Sequence, residues 1–250
     1  MNKLIFIDTN ILLDFYRFRT SDANMKIDQH HNILISTSQV EMEYKKHRAE
    51  ELKASSKALA LPDWNSLKPP PILSDSEPFQ IIEKHIEKIK KQIEVLKGRL
   101  DNVFNDPVRH DKVFQTAQRL FKNQQTGLNL NRDNIERFRI RKLALKRWIL
   151  GYPPRKKEDN SIGDAINWEW IVDCGIRRNA DVIIVSRDND YGQHLSKNSY
   201  INEWLLTEYK DRVNKRKKVV LTNRLSFAFK EAVSKNVWFL RKWRMQKTRC

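Results

Sequence analysis

Leu4-Ile5-Phe6-Ile7-Asp8-Thr9-Asn10 starts as an apolar run and stops abruptly at polar groups. Its four apolar residues, mostly β-branched or aromatic, read as a strand buried on both faces, as inside a parallel sheet. An acid, a hydroxyl and an amide follow, and Ile11-Leu12-Leu13 then opens a short helix reaching Phe18. Side chains alternate along a strand, so Asp8 and Asn10 leave the same side of its end. Open α/β sheets bind ligands beyond the carboxyl ends of their strands. A carboxylate desolvated there is costly unless a cation accompanies it.

Further strands repeat the theme. Asn32-Ile33-Leu34-Ile35-Ser36 reads as a second buried strand, and Thr37 and Ser38 offer the cap of a helix that follows. That helix carries Glu41 and Glu43, roughly 200° apart around its axis, so only one of them can face a site. Lys45, four residues after Glu41, marks Glu41 as the solvated one. Gly163-Asp164 opens an apolar helix with Ala165, Ile166, Trp168, Ile171 and Val172. Asp181-Val182-Ile183-Ile184-Val185-Ser186 is a third buried strand and runs into Arg187-Asp188-Asn189-Asp190-Tyr191. A helix over 201–213, a short strand over 218–221 and a helix over 226–233 complete the alternation. Two strands thus deliver acids at their carboxyl ends, on one rim of a parallel sheet.

Between these halves the sequence changes character, from about residue 52 to 158. Pro69-Pro70-Pro71 is a stiff break. Beyond it Ile82, Ile86, Ile89, Ile93, Leu96 and Leu100 recur at spacings of four and three, a seam that predicts burial. The expected cover is the pair of helices around 113–121 and 135–149, giving an antiparallel helical lobe inserted in the α/β domain. The second of these is basic, with Arg137, Arg139, Arg141, Lys142, Lys146 and Arg147, and Arg155-Lys156-Lys157 follows. The tail, 234–250, mixes Trp238, Phe239 and Trp243 with Arg241, Lys242 and Arg244, a composition that suits stacking on bases, contact with lipid headgroups or packing on the domain, the last being the expectation.

Composition narrows the partner. The 250 residues hold 48 Lys and Arg against 31 Asp and Glu, a net charge of +17, which points first to nucleic acid and second to an anionic membrane surface. Cys174 and Cys250 are too few for a disulfide framework or a zinc cluster and read as reduced thiols of a cytoplasmic protein. The first strand starts near the third residue, which argues against a signal peptide. No apolar run approaches the ~18 residues of a membrane span.

Ile5-Phe6-Ile7-Asp8-Thr9-Asn10, Val40-x-x-Glu43, Gly163-Asp164 and Val185-Ser186-x-Asp188-x-Asp190-Tyr191 come in the order of the PIN-domain nucleases. The chain resembles that family over roughly 3–48 and 161–233. Each motif alone is a common turn or cap: Asp164 also suits an N-cap, and Asp188-Asn189-Asp190 a polar turn. Together they form a pattern that caps and turns have no reason to produce.

The resemblance implies a Rossmann-like three-layer α/β PIN domain with a central parallel sheet and an inserted helical lobe. Over 1–250 this makes one domain, with a basic helical insertion at 52–158 and an aromatic basic tail at 234–250. It also implies a metal-dependent nuclease leaving a 3′-hydroxyl and a 5′-phosphate. Crowded carboxylates repel one another unless divalent cations neutralise them, and oxygen-only ligands select hard ions such as Mg²⁺ or Mn²⁺. Asp8, Asp164 and Asp188 are the expected metal ligands, Glu43 and Asp190 complete the catalytic set, and Asn10 and Ser186 orient the carboxylates.

Lys46, Arg139, Lys142, Lys146 and Arg147 are the candidate nucleic-acid contacts. An endoribonuclease is the leading function, with a structure-specific DNA nuclease and a non-catalytic RNA-binding protein as alternatives. A toxin or defence role, a protein inhibitor and a homo-oligomer are all compatible with the resemblance. A haloacid-dehalogenase-type phosphatase is disfavoured, since Asn10 stands where it needs a second Asp, and the chain has no GxxxxGK[ST] phosphate cradle.

Overall fold

The computed structural model describes residues 2–18, 27–123, 127–154, 161–196 and 198–233. The aromatic basic tail, Cys250 and the Arg155-Lys156-Lys157 cluster lie outside the described residues. Those described form seven strands: β1 (Lys3–Ile7), β2 (Leu34–Thr37), β3 (Asn129–Leu130), β4 (Asp181–Val185), β5 (Gly192–Leu195), β6 (Asn198–Ile201) and β7 (Val219–Thr222). Five make a parallel sheet in the order β3-β2-β1-β4-β7, and β5 and β6 form an antiparallel hairpin.

The helices are α1 (Thr9–Arg17), α2 (Ser38–Ala58), α3 (Glu77–Asn105), α4 (Pro107–His110), α5 (Lys112–Lys122), α6 (Glu136–Ile149), α7 (Gly163–Arg178), α8 (Glu203–Arg212) and α9 (Leu225–Val233). The Rossmann-like α/β architecture expected from the sequence is present, a central parallel sheet with flanking helices. Central position explains the apolar run of β1. Ile5 is paired with Leu34 on one side and Ile183 on the other, and Ile5, Phe6 and Ile7 are all buried. Helix α7 packs against β2 and β4, and α9 against β1, β4 and β7. Trp168 and Trp170 on α7 are fully buried, and Trp170 donates its ring N–H to Leu128 O at 2.9 Å. The Thr37 hydroxyl accepts from Val40 N (3.1 Å), the cap expected at the start of α2.

The chain forms two compact units, Met1–Lys45 with Thr116–Cys250, and Lys46–Gln115. The stretch 52–158, expected as one lobe, therefore divides. Within the sheet's unit, β3 extends the sheet beside β2, α5 buries Thr116, Ala117, Leu120 and Phe121, and α6 buries Ile140, Ala144 and Arg147. In the other unit Arg48 grips Asp111 through Nε and Nη2 (2.9 and 2.8 Å), bonds Val103 O, and stacks over Phe114.

The isoleucine seam departs from expectation. Helix α3 has no buried residue. Ile86, Ile93 and Leu100 are half-buried, while Ile82, Ile89 and Leu96 are more than 40% exposed.

Candidate active site

From β1 the chain passes to β2 on one side and later returns as β4 on the other. Such a reversal opens a crevice beyond the carboxyl ends of the strands. Asp8 sits there, on the residue after β1, and is 4% exposed. One carboxylate oxygen caps α1 by accepting from Thr9 N at 2.7 Å. The other accepts from the Ser186 hydroxyl (2.6 Å) and the Asn10 amide (3.0 Å).

These partners also tie two strand ends together. The Ser186 hydroxyl accepts from Asp188 N (3.0 Å), and the Asn10 carbonyl oxygen accepts from Arg187 N (3.2 Å). Burial pushes the Asp8 pKa up to about 7. The Ser186 and Thr9 hydrogen bonds oppose that shift, and the charges of Asp188 and Glu43 add to it.

Helix α2 contributes Glu43. Its carboxylate accepts from the Thr9 hydroxyl at 3.0 Å and from the Gln39 amide at 2.7 Å. Glu41 instead pairs with Lys45 (2.6 Å), as the spacing predicts. At the start of α7, a Cβ on Gly163 would lie 2.7 Å from Gln39 Nε2 and 2.9 Å from Glu43 Oε1. A side chain there would have to displace the ends of Gln39 and Glu43. Asp164 follows, in the first turn rather than at the N-cap, which is Ile162. A carboxylate is favoured in that turn by the helix dipole.

Tyr191 is fully buried, its ring against Phe6 with centroids 6.2 Å apart. Burial holds its hydroxyl well above the usual phenol range, and the charges of Asp164, Asp8, Glu43 and Asp190 act in the same direction. The structure therefore gathers the expected acids around the ends of β1 and β4: Asp188 and Glu43 act on Asp8, and Asp164 and Asp190 act on Tyr191.

Thr9, Gln39 and Tyr191 are the residues that sequence reasoning passed over. Thr9 lies inside the decisive stretch, and Gln39 is one helical turn before Glu43, so both carried a positional signal. Nothing in the sequence sets the Tyr191 hydroxyl apart.

The basic candidates separate. Lys142 and Lys146 are exposed on α6. Arg139 is half exposed while paired with Glu136 and Asp173. Lys46 is exposed in the Lys46–Gln115 unit. Arg147 is a correction: it is 4% exposed, paired with Glu169 (2.8 Å) and with Glu208, and cannot reach a polyanion. Helical periodicity turns that position inward while its neighbours Lys142 and Lys146 face out.

A family model described as the PIN domain matches residues 5–191. The chain belongs to the PIN-domain family. Comparison with curated proteins and with solved structures finds no match. PIN domains are nucleases that bind nucleic acid and generally use divalent metals. In this PIN domain no group of three or more Asp, Glu, His or Cys side chains is already set to hold a metal ion, among the described residues. The donor set nonetheless fits a hard cation: it is oxygen-only, and like charges destabilise its central acid. No described helix is long and apolar enough to cross a membrane.

Proposed function

We propose that this PIN domain is a cytoplasmic endoribonuclease dependent on Mg²⁺ or Mn²⁺. The observation that carries the reading is Asp8, a buried carboxylate held by three donors and crowded by further acids. Such a group is poorly stable as an anion until a cation joins it. Asp8, Asp164 and Asp188 would hold the cation, with Glu43 and Asp190 completing the catalytic set. When bound, the cation supplies Lewis-acid activation of water and neutralises charge on the phosphodiester.

The chain's own residues do the rest. Ser186, Asn10 and Thr9 N fix both oxygens of Asp8, so the acid is oriented before substrate arrives. Thr9 and Gln39 do the same for Glu43. A water oxygen forms the new bond to phosphorus, the P–O3′ bond breaks, and the leaving oxygen takes a proton. The products are a 3′-hydroxyl and a 5′-phosphate. Lys46, Arg139, Lys142 and Lys146 neutralise flanking phosphates, and the basic helices of the 52–158 segment lend the chain its preference for a polyanion.

The test is cleavage of end-labelled RNA and single-stranded DNA with Mg²⁺, Mn²⁺ or EDTA, using wild type, Asp8→Asn and Asp164→Asn. Metal-dependent RNA cleavage lost in both variants is the expected result. Preferential DNA cleavage would reassign the substrate. Binding of either nucleic acid with no cleavage under any metal would overturn the catalytic reading.

A further inference from the structure

The Tyr191 hydroxyl stands outside the hydrogen-bond network of the acidic crevice, among the described residues. Asp8, Glu43, Asn10 and Ser186 are all engaged with one another or with Thr9, Gln39 and backbone N–H groups. The Tyr191 hydroxyl is fully buried and has no hydrogen-bond partner among the described residues. It lies within electrostatic reach of Asp164, Asp8, Glu43 and Asp190.

A buried hydroxyl without a partner costs about 1–3 kcal/mol, and folded proteins leave few such groups. Phenylalanine would fill the same space against Phe6 without that cost. A phenol has a single proton to donate, and the charged groups that act on it are the carboxylates of Asp164, Asp8, Glu43 and Asp190, which when ionised can only accept. The hydroxyl is thus placed as a donor to a carboxylate that has yet to move into range.

We propose that Tyr191 is a positioning residue of the acidic site, its hydroxyl donating to one of the facing carboxylates when those side chains close on a divalent cation. This rests on the cation-dependent reading above. The hydrogen bond would hold a ligand oxygen in one orientation, as outer-shell donors do at other metal sites. The ring, packed on Phe6 beneath the β1 end, keeps the donor from swinging away.

The experiment is calorimetric titration of Mn²⁺, then Mg²⁺, into the full chain without nucleic acid, comparing wild type with Tyr191→Phe, together with the thermal midpoint of each metal-free protein. The expected result is a metal-free midpoint equal to or above wild type and a cation affinity weaker by about 10-fold or more. Affinity unchanged within about twofold overturns the role while leaving the cation reading intact. A Tyr191→Phe protein that loses its fold without metal also overturns it, because the hydroxyl would then serve the metal-free structure. Wild type that binds neither ion overturns the cation reading, and this role with it.

Discussion

Single residues in this PIN domain divide into those that strain the fold and those that relieve it. Asp8 strains it: burial and neighbouring charges penalise its ionised form. Asp8→Asn keeps the size and an acceptor but removes the charge, so without added metal at pH 8 the variant is expected to be more stable, by on the order of 1–4 kcal/mol. Urea denaturation measures the difference, and a lower midpoint than wild type would contradict it.

Glu169 shows the opposite behaviour. Burial alone would raise its pKa, but Arg212 (2.7 Å) and Arg147 (2.8 Å) outweigh that and hold it below the ordinary 4.5. Glu208, which pairs with the same two arginines, faces it from α8. An acid with a depressed folded pKa stabilises the protein above its unfolded pKa, and the contribution is lost as pH falls through the folded value. Glu169→Gln is therefore expected to lose about 3 kcal/mol at pH 7 by leaving buried arginine charge under-compensated, with the gap narrowing below pH 4.5. Parallel urea curves from pH 7 to pH 3 read this directly.

At the scale of elements, the approach of α7 to α2 sets the site. Gly163→Ala would press a methyl onto Gln39 and Glu43, whose flexible ends can yield, so the fold tolerates it better than the site does. Cleavage is expected to fall about 10–100-fold, the effect of small misplacements, with the thermal midpoint nearly unchanged. A fully active variant would show that the Gln39–Glu43 arrangement is dispensable.

The seam of α3 gives a second test. Leu52 on α2 is 4% exposed and Ile89 is 41% exposed, within the same unit. Leu52→Ala is expected to cost about 2–5 kcal/mol and Ile89→Ala under about 1 kcal/mol. Equal losses in denaturant titrations would mean that Ile89 is covered in solution.

Across the whole molecule, net charge decides how the chain meets nucleic acid. With +17 overall, affinity is expected to fall steeply with salt. Replacing Lys142 and Lys146 together with Ala should weaken binding and reduce the log–log salt slope by about 1.4, or ~0.7 for each lost phosphate contact on a single strand. Arg147→Ala should lower stability instead, because Arg147 neutralises Glu169 and Glu208 in the interior. Filter binding from 50 to 300 mM salt (on the order of the range that exposes the slope) separates the two cases.

The sequence alone determined the parallel α/β sheet, because strands buried on both faces need near-continuous apolar runs such as 4–7 and 182–185. Acids at the ends of two such strands were legible for the same reason, since the chain direction of a parallel sheet puts both ends on one rim. Only tertiary structure decided the rest. The two-residue β3 is too short to carry a pattern, and the β5–β6 hairpin mixes exposed and buried positions with polar residues. Helical spacing identified an apolar seam on α3, but cannot say whether another element covers it. Charge counting likewise grouped Arg147 with Lys142 and Lys146, although its direction on α6 pairs it with Glu169 of α7 and Glu208 of α8. The Tyr191 hydroxyl, packed with its ring on Phe6, has no hydrogen-bond partner among the described residues, and tertiary structure alone decides this, because satisfaction of a polar group is a property of neighbours in space, not in sequence.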